Sequence, residues 1–377
     1  MSDIQPPSTA LRVAIVGTGA VATLHARSLA RIEGADLVAV ADVMPGRAAE
    51  FARAEAAPAT PTGAVRIAAA YESLEQLLAS ERIDVVHLCT PPGVHAPQAV
   101  AAFAHGAHVV AEKPPALSLD ELQAMTDAAA RAHRQFAVVF QQRTGSAAGH
   151  VKRLLDAGAF GRPLFATCST LWYRDAGYYS VPWRGRWSTE GGGTTLSHGI
   201  HQIDLLAYLL GDWSRARAQL WRQARDVETE DVSTGTILFE SGVVAQVSTS
   251  VVSPRETSSI RIDTEKATIE VDHLYGHDRS NWRITAAPTV DAEEAASWEF
   301  ADDTEASGHD ALLDAVYAAL VSGAALPAVA AEPARALEIV TAFYASAREG
   351  GDVERSRVKH DAALRGTLEA PVTDNRP

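Results

Sequence analysis

Along the first 140 residues, short apolar and often β-branched runs alternate with stretches whose apolar positions recur every three to four residues. Such alternation is the pattern of a parallel sheet with crossover helices. The runs Arg12–Val16, Leu37–Ala41, Val85–Cys89, His108–Ala111 and Phe136–Phe140 are expected to be strands. Ala20–Ile32, Pro45–Ala56, Ser73–Ser80, His95–His105 and Leu119–His133 are expected to be helices. Ala56–Gly63, rich in Ala, Pro and Thr, reads as a loop, and Val65–Tyr71 fits neither pattern cleanly. The texture changes past Gln141. A helix, Ala147–Ala157, and a strand, Leu164–Leu171, precede an aromatic, Gly-rich segment and a helix from about Thr195 to Leu210. Strands separated by turn residues follow, among them Val232–Phe239, Gly242–Val251, Ser259–Asp263 and Ala267–Val271, and predict an antiparallel sheet. Helices over Asp310–Val321 and Pro333–Arg348 close the ordered part, and the polar stretch from Asp352 is expected to be loose.

The fold class is therefore α/β, with a doubly wound, dinucleotide-binding type of parallel sheet over residues 8–141, a second α/β domain over 142–355 and a tail over 356–377. A length of 377 residues fits two cores. Hydrophobic residues make up 47%, yet no run nears the ~18 apolar residues of a membrane span. The net charge of −14, with no basic stripe set against it, opposes binding to nucleic acid or an anionic membrane surface. Met1 to Ala10 has no basic region followed by an apolar stretch, and the only cysteines, Cys89 and Cys168, sit in apolar runs, so a cytoplasmic location is expected.

Chemistry first enters at the end of the first strand. Val16-Gly17-Thr18-Gly19-Ala20-Val21-Ala22 is a Gly-x-Gly-x-x-Ala turn that leads into a helix. Gly17 permits the tight turn, Gly19 lets the backbone approach a pyrophosphate, and Ala22 is small enough for close helix–strand packing. The amide groups at the helix start, from Ala20 on, suit phosphates. The second strand ends at Asp42, about 20 residues beyond the glycines, where a carboxylate bonds the adenosine ribose hydroxyls. It would repel the extra phosphate of NADP, so NAD is favoured over NADP, with nearby Arg47 pulling the other way.

Two further motifs resemble one family. Cys89-Thr90-Pro91-Pro92-Gly93-Val94-His95 followed by Gly106-Ala107-His108-Val109-Val110-Ala111-Glu112-Lys113-Pro114 is similar to the central signature of the glucose-fructose oxidoreductase and inositol dehydrogenase (Gfo/Idh/MocA) family. Gly191-Gly192-Gly193 with His201 and Asp204 resembles its second motif, and Ala334–Gly350 its closing helix. The resemblance implies a Rossmann domain, a C-terminal domain with a large open and mainly antiparallel sheet, and an active site between them. It also implies an oligomer built on that sheet, here a homodimer or homotetramer. A small carbohydrate or polyol is the implied substrate. Thr90, Pro91, Pro92, His95, Glu112 and Lys113 become cofactor-binding candidates beside Gly17, Gly19, Ala20, Ala22 and Asp42.

Oxidising an alcohol needs a group that takes the hydroxyl proton and a cation that stabilises the developing alkoxide. Lys113, just past a strand, and His201, with an ordinary pKa of about 6.5, fit those needs. Many members of the resembled family carry an aspartate four residues before this histidine. Ser197 stands there instead, so Ser197 and His198 are the candidate relay partners. His198, His201 and Asp204 could also be read as a metal cluster. No Cys or Glu partner has zinc-like spacing, and no metal is expected. The segment holding Trp172-Tyr173-Arg174, Tyr178-Tyr179 and Trp183-Arg184 has the aromatic and guanidinium groups that stack on sugars and bond their hydroxyls. Tyr173, Trp183 and Arg184, together with Arg143, His198 and Asp204, are the substrate candidates. The function expected is hydride transfer between a hydroxyl carbon and NAD. The alternatives are a glycoside-cleaving or epimerising enzyme that uses tightly bound NAD transiently, and a nucleotide-sensing regulator without catalysis.

Overall fold

The computed structural model describes residues 10–55, 68–273, 275–300 and 305–376. In the N-terminal half, β1 (Leu11–Val16), α1 (Ala20–Leu29), β2 (Ala35–Ala41), α2 (Arg47–Ala54), β3 (Ala69–Tyr71), α3 (Leu74–Ser80), β4 (Val85–Leu88), α4 (His95–Ala104), β5 (His108–Ala111), α5 (Leu119–Ala132) and β6 (Phe136–Val138) alternate as the pattern predicts. Every strand pair in this sheet is parallel. The order is β3-β2-β1-β4-β5-β6. Helices cover both faces, which is why β4 is buried at all four positions and reads as an unbroken apolar run apart from His87. Strand order reverses between β1 and β4, and that reversal opens a crevice beyond the carboxyl ends of the strands. The expected loop Ala56–Gly63 lies outside the described residues, as do 65–67 of the Val65–Tyr71 run, whose end forms edge strand β3.

The C-terminal half runs α6 (Ser146–Asp156), β7 (Pro163–Tyr173), α7 (Ala176–Tyr179), α8 (Ile200–Leu210), β8 (Trp213–Arg222), β9 (Val232–Phe239), β10 (Val244–Ser250), β11 (Val252–Thr264), β12 (Ala267–Asp272), β13 (Trp282–Ala286), α9 (Ala292–Ala296), α10 (His309–Ser322), α11 (Arg335–Glu349), β14 (Val353–Glu354), α12 (Arg355–His360), α13 (Ala362–Arg365) and β15 (Thr373–Asp374). Nine of these strands form one sheet in the order β13-β12-β11-β7-β10-β9-β8-β14, with β15 also paired to β8. It is mostly antiparallel, but β7–β10 and β8–β15 are parallel. Helix α11 is buried from Ala336 to Ser346 and contributes Phe343 and Tyr344 to the core. The other sheet face leaves Phe165 and Val244, direct cross-strand partners, 41% and 43% exposed.

Two features depart from the sequence pattern. Helix α10 lies in the C-terminal half of the chain, yet its Leu312, Leu313, Val316 and Tyr317 join Val13, Ile15 and Val40 in the Rossmann core. Its apolar stripe is complementary to the outer face of α1 and the sheet beneath, a long-range pairing that no local pattern shows. The segment from Asp352, expected to be loose, is ordered instead. Val358, Leu364 and Leu368, dispersed among charged residues, are buried, and Arg355 bonds Glu338 and Asp212. A mean polar composition hid three well-placed apolar anchors.

The chain crosses between the halves at 141–145 and again at 305–309, and the two crossings are stitched together. Ser146 N–H donates to Glu305 O at 3.1 Å, and Gly308 N–H donates to Thr144 Oγ1 at 3.1 Å. The crevice of the first sheet thereby faces the helices and loops of the second.

Candidate active site

A cleft of ≈ 1250 Å³ lies between the halves. Its cofactor end is built by the β1–α1 turn. Gly17 has φ +85°, and a Cβ there would lie 2.8 Å from the backbone of Cys89 and Thr90, so only glycine lets β1 and β4 close together at this point. A Cβ on Gly19 would meet no atom within 4 Å, which leaves the space over the start of α1 open. Asp42 stands at the rim, where Oδ2 accepts from Thr18 N–H and Oγ1–H at 2.9 and 2.7 Å and Oδ1 from Met44 N–H at 2.9 Å. Desolvation pushes the Asp42 carboxyl up, but the bonds from Met44 and Thr18, with Arg47 nearby, outweigh it and hold the group below its ordinary range. An open helix start, glycines at the approach and an ionised acid at the end of β2 together fit a dinucleotide. Thr90, Pro91, Pro92, Glu112 and Lys113 line the same cleft, whereas Ala22 and His95 lie behind it. His95 is wholly buried, with its two ring nitrogens facing Thr90 O and Pro114 O at 2.7 and 3.1 Å, and it braces the two turns against each other.

At the other end the glycine triplet sets the geometry. A Cβ on Gly192 would lie 2.2 Å from the Tyr344 hydroxyl and one on Gly193 1.9 Å from Glu230 O. Glu230 caps the turn by accepting from Gly193 N–H and Thr195 N–H at 3.1 and 2.9 Å and from Tyr344 O–H at 3.0 Å. This tight packing launches a π-helical turn over Thr195–Gly199 ahead of α8, a local widening that recurs at functional sites. It turns Ser197 and His198 into the cleft. Lys113 Nζ reaches across to Ser197 O at 3.3 Å. Burial lowers the Lys113 pKa, against the opposing pull of Glu112.

His198 is pinned. Arg174 Nε–H donates to its Nε2 at 3.2 Å, and a guanidinium cannot accept, so the neutral ring carries its proton on Nδ1, 2.7 Å from Ser197 Oγ. Ser197 in turn donates to Gly193 O at 2.8 Å. Burial first, and then Arg174, drive the His198 pKa well below the ordinary value. His201, one turn on, is fully buried and does not line the cleft. Its Nε2 lies 3.1 Å from the Tyr275 hydroxyl, which does line the cleft, and its Nδ1 has no partner among the described residues. Burial, then Lys113, hold this ring neutral too. The two candidate relay partners, Ser197 and His198, thus bond each other, while His201 faces Tyr275.

The remaining wall is aromatic and cationic. Tyr178 has the Arg184 and Arg174 guanidinium groups 3.9 and 5.3 Å from its ring centroid, and burial raises its hydroxyl pKa to about 12. Trp172, Trp183 and Arg184 complete this wall. Tyr173 points away from it and packs under Arg225. Arg143 and Asp204 also lie outside. They form a buried ion pair, with Nε to Oδ2 at 2.7 Å and side chains 3% and 1% exposed, that joins the 141–145 crossing to α8. Residues that the motifs did not indicate reach the cleft as well: Tyr275, His309, Gln141 and Glu190. Tyr275, from a loop, and His309, from the start of α10, arrive more than 70 residues beyond the glycine triplet, where no local signal marks them.

Comparison with known proteins agrees with this geometry. Residues 11–140 match the oxidoreductase family model with an NAD-binding Rossmann fold, and residues 149–270 match the GFO/IDH/MocA C-terminal domain. The chain belongs to the GFO/IDH/MocA family of oxidoreductases. It is 28% identical over 363 residues to D-apiose dehydrogenase of Paraburkholderia graminis, covering 93% of this chain and 91% of that protein. To scyllo-inositol 2-dehydrogenase (NAD(+)) of Bacillus subtilis it is 31% identical over 202 residues, 53% of this chain and 54% of that one. The WlbA dehydrogenase from Bordetella pertussis, solved with NADH and UDP-GlcNAcA, superposes with a TM-score of 0.79 at 27% identity, covering 92% of this chain and 98% of that chain.

The Arg143–Asp204 pair supplies a test of its structural assignment. Asp204→Leu strands a buried guanidinium and should cost about 3–5 kcal/mol in denaturant unfolding, whereas Arg143→Met with Asp204→Leu should recover much of that loss. Equal losses in the single and double variants would contradict the pairing.

Proposed function

We propose that the protein oxidises a hydroxyl carbon of a sugar, polyol or related small molecule, with NAD as hydride acceptor. One observation carries this reading: the half-buried Lys113 amine lines the cleft together with the cofactor-end glycines and the Trp172–Tyr178–Trp183–Arg184 wall. NAD, when bound, takes the hydride. The chain's own residues do the rest. Lys113, its pKa lowered by burial, takes the hydroxyl proton and then stands as an ammonium beside the forming carbonyl oxygen. His198 is occupied by Arg174 and serves to orient that cation. His201 reaches the cleft only through the Tyr275 hydroxyl, which holds the reacting oxygen and exchanges protons with the imidazole behind it. The aromatic rings stack on the sugar face while Arg184 and Glu190 bond hydroxyls.

A panel of sugars, polyols and sugar acids with NAD⁺, followed by NADH absorbance, should reveal a substrate. Its kcat should rise with pH, because the amine accepts a proton only when neutral, with an apparent pKa below lysine's ordinary one. Lys113→Ala should lower kcat by about 10²–10³ while NAD still binds. His201→Ala and Tyr275→Phe should show similar, smaller losses, since both cut the same route. A severe His201→Ala defect beside a wild-type Tyr275→Phe would contradict it.

The same reading assigns NAD rather than NADP, on the strength of the ionised Asp42 at the rim. Asp42→Ala should bring the kcat/KM for NADP toward that for NAD. An unchanged preference would remove Asp42 from the assignment.

We also place the protein in the cytoplasm as a homodimer or homotetramer assembled through the nine-stranded sheet. The exposed Phe165–Val244 pair on its outer face supports the assembly, and two buried free cysteines suit a reducing compartment. Light scattering should give a multimer mass, which Phe165→Glu reduces. A monomer mass for the wild type would refute the assembly.

A further inference from the structure

Beneath the cleft floor runs a chain of buried polar groups that the reaction above does not use. Glu112, at the end of β5, lines the cleft and is 6% exposed. Its Oε1 lies 3.0 Å from His25 Nε2, on α1, and 2.9 Å from His309 Nε2, at the start of α10. Lys113 N–H donates to its Oε2 at 3.2 Å. Behind it His25 Nδ1 lies 2.7 Å from His87 Nδ1, on β4, and His87 Nε2 lies 2.9 Å from the Tyr317 hydroxyl, on α10.

With Glu112 ionised, one set of tautomers satisfies every contact. Tyr317 O–H donates to His87 Nε2, His87 Nδ1–H to His25 Nδ1, and His25 Nε2–H to Glu112, which also accepts from His309 Nε2–H. Every donor along this line points toward the carboxylate. Burial pushes the Glu112 carboxyl up, but the bonds from His25 and His309 outweigh it and hold the group well below its usual range. Burial likewise keeps His25 and His87 neutral. The line Tyr317–His87–His25–Glu112 thus carries a single negative charge, and the Lys113 amine turns to Ser197 O instead of to it. His25, Glu112 and His309 also bring three ligand atoms within 4.8 Å of one another, but the hydrogen bonds above already engage those atoms.

A dinucleotide held by Asp42 at its adenosine end and by the start of α1 at its pyrophosphate would extend along the same cleft, and Glu112, which lines it beyond β5, would face the nicotinamide half. The nicotinamide ring is cationic when oxidised and neutral when reduced. We propose that the Glu112 carboxylate, held ionised by His25 and His309, biases bound cofactor toward the oxidised form, with the two histidines as positioning residues. This rests on the NAD reading above. It gives the enzyme a preference for capturing NAD⁺ and releasing NADH, which suits net oxidation of its substrate.

The test is binding, not turnover. NADH affinity is read by fluorescence titration of the full chain and NAD⁺ affinity by competition. Glu112→Gln keeps an oxygen that accepts from both histidines and removes only the charge, so the ratio Kd(NADH)/Kd(NAD⁺) should fall about tenfold. His309→Lys brings a cation to the carboxylate from a different element and should lower the ratio in the same direction. It serves alone if Glu112→Gln does not fold. Unchanged affinities, or equal changes for both redox forms, would overturn the proposal and leave a structural role. A wild-type protein that bound neither form would instead defeat the cofactor reading itself.

Discussion

The two halves of the molecule share one buried carboxylate. Glu112 belongs to the first sheet, but one of its two imidazole partners, His309, begins a helix contributed by the second half of the chain. An ionised carboxylate in that setting is tolerable only while its donors stay in place, since an unpaired buried charge is strongly destabilising. The same contact adds to the apolar packing that holds α10 on the Rossmann core and to the backbone bonds that join the 141–145 and 305–309 crossings, and it ends one residue before Lys113. Cleft geometry follows from electrostatic necessity as much as from apolar packing.

Local constraints explain why the first half was legible in the sequence. Its strands are buried on both faces and read as apolar runs, its helices carry clear periodicity, and Ser73 and Ser118 cap α3 and α5 as their positions suggest. The Gly17–Ala22 turn and Asp42 stand out because the strand–turn–helix order around them is local, whereas Lys113 and the glycine triplet stand out through their resemblance to family motifs. What stayed hidden depends on distant pairings. Arg143 and Asp204 look like ligand groups until they are seen to satisfy each other. Tyr275 and His309 have no motif around them, and the order of residues 352–376 rests on a few dispersed apolar anchors.

The site also shows how one serine directs a hydrogen-bond network. With Ser197 one residue before His198 and one turn before His201, no carboxylate bonds either imidazole among the described residues. The serine accepts from His198 and donates its own O–H to Gly193 O, while His201 turns to Tyr275. Both imidazoles are neutral and neither is free to act directly at the cleft surface. In the proposed reaction proton transfer therefore falls to Lys113, whose pKa burial lowers.

Direct transfer of hydride from a hydroxyl-bearing carbon to NAD is the central claim, and isotopic labelling tests it most directly. A substrate deuterated at the carbon that is oxidised should yield NADH carrying that deuterium at C4 of its ring, in step with ketone formation. Deuterium lost to water, or product formed without labelled NADH, would contradict the account.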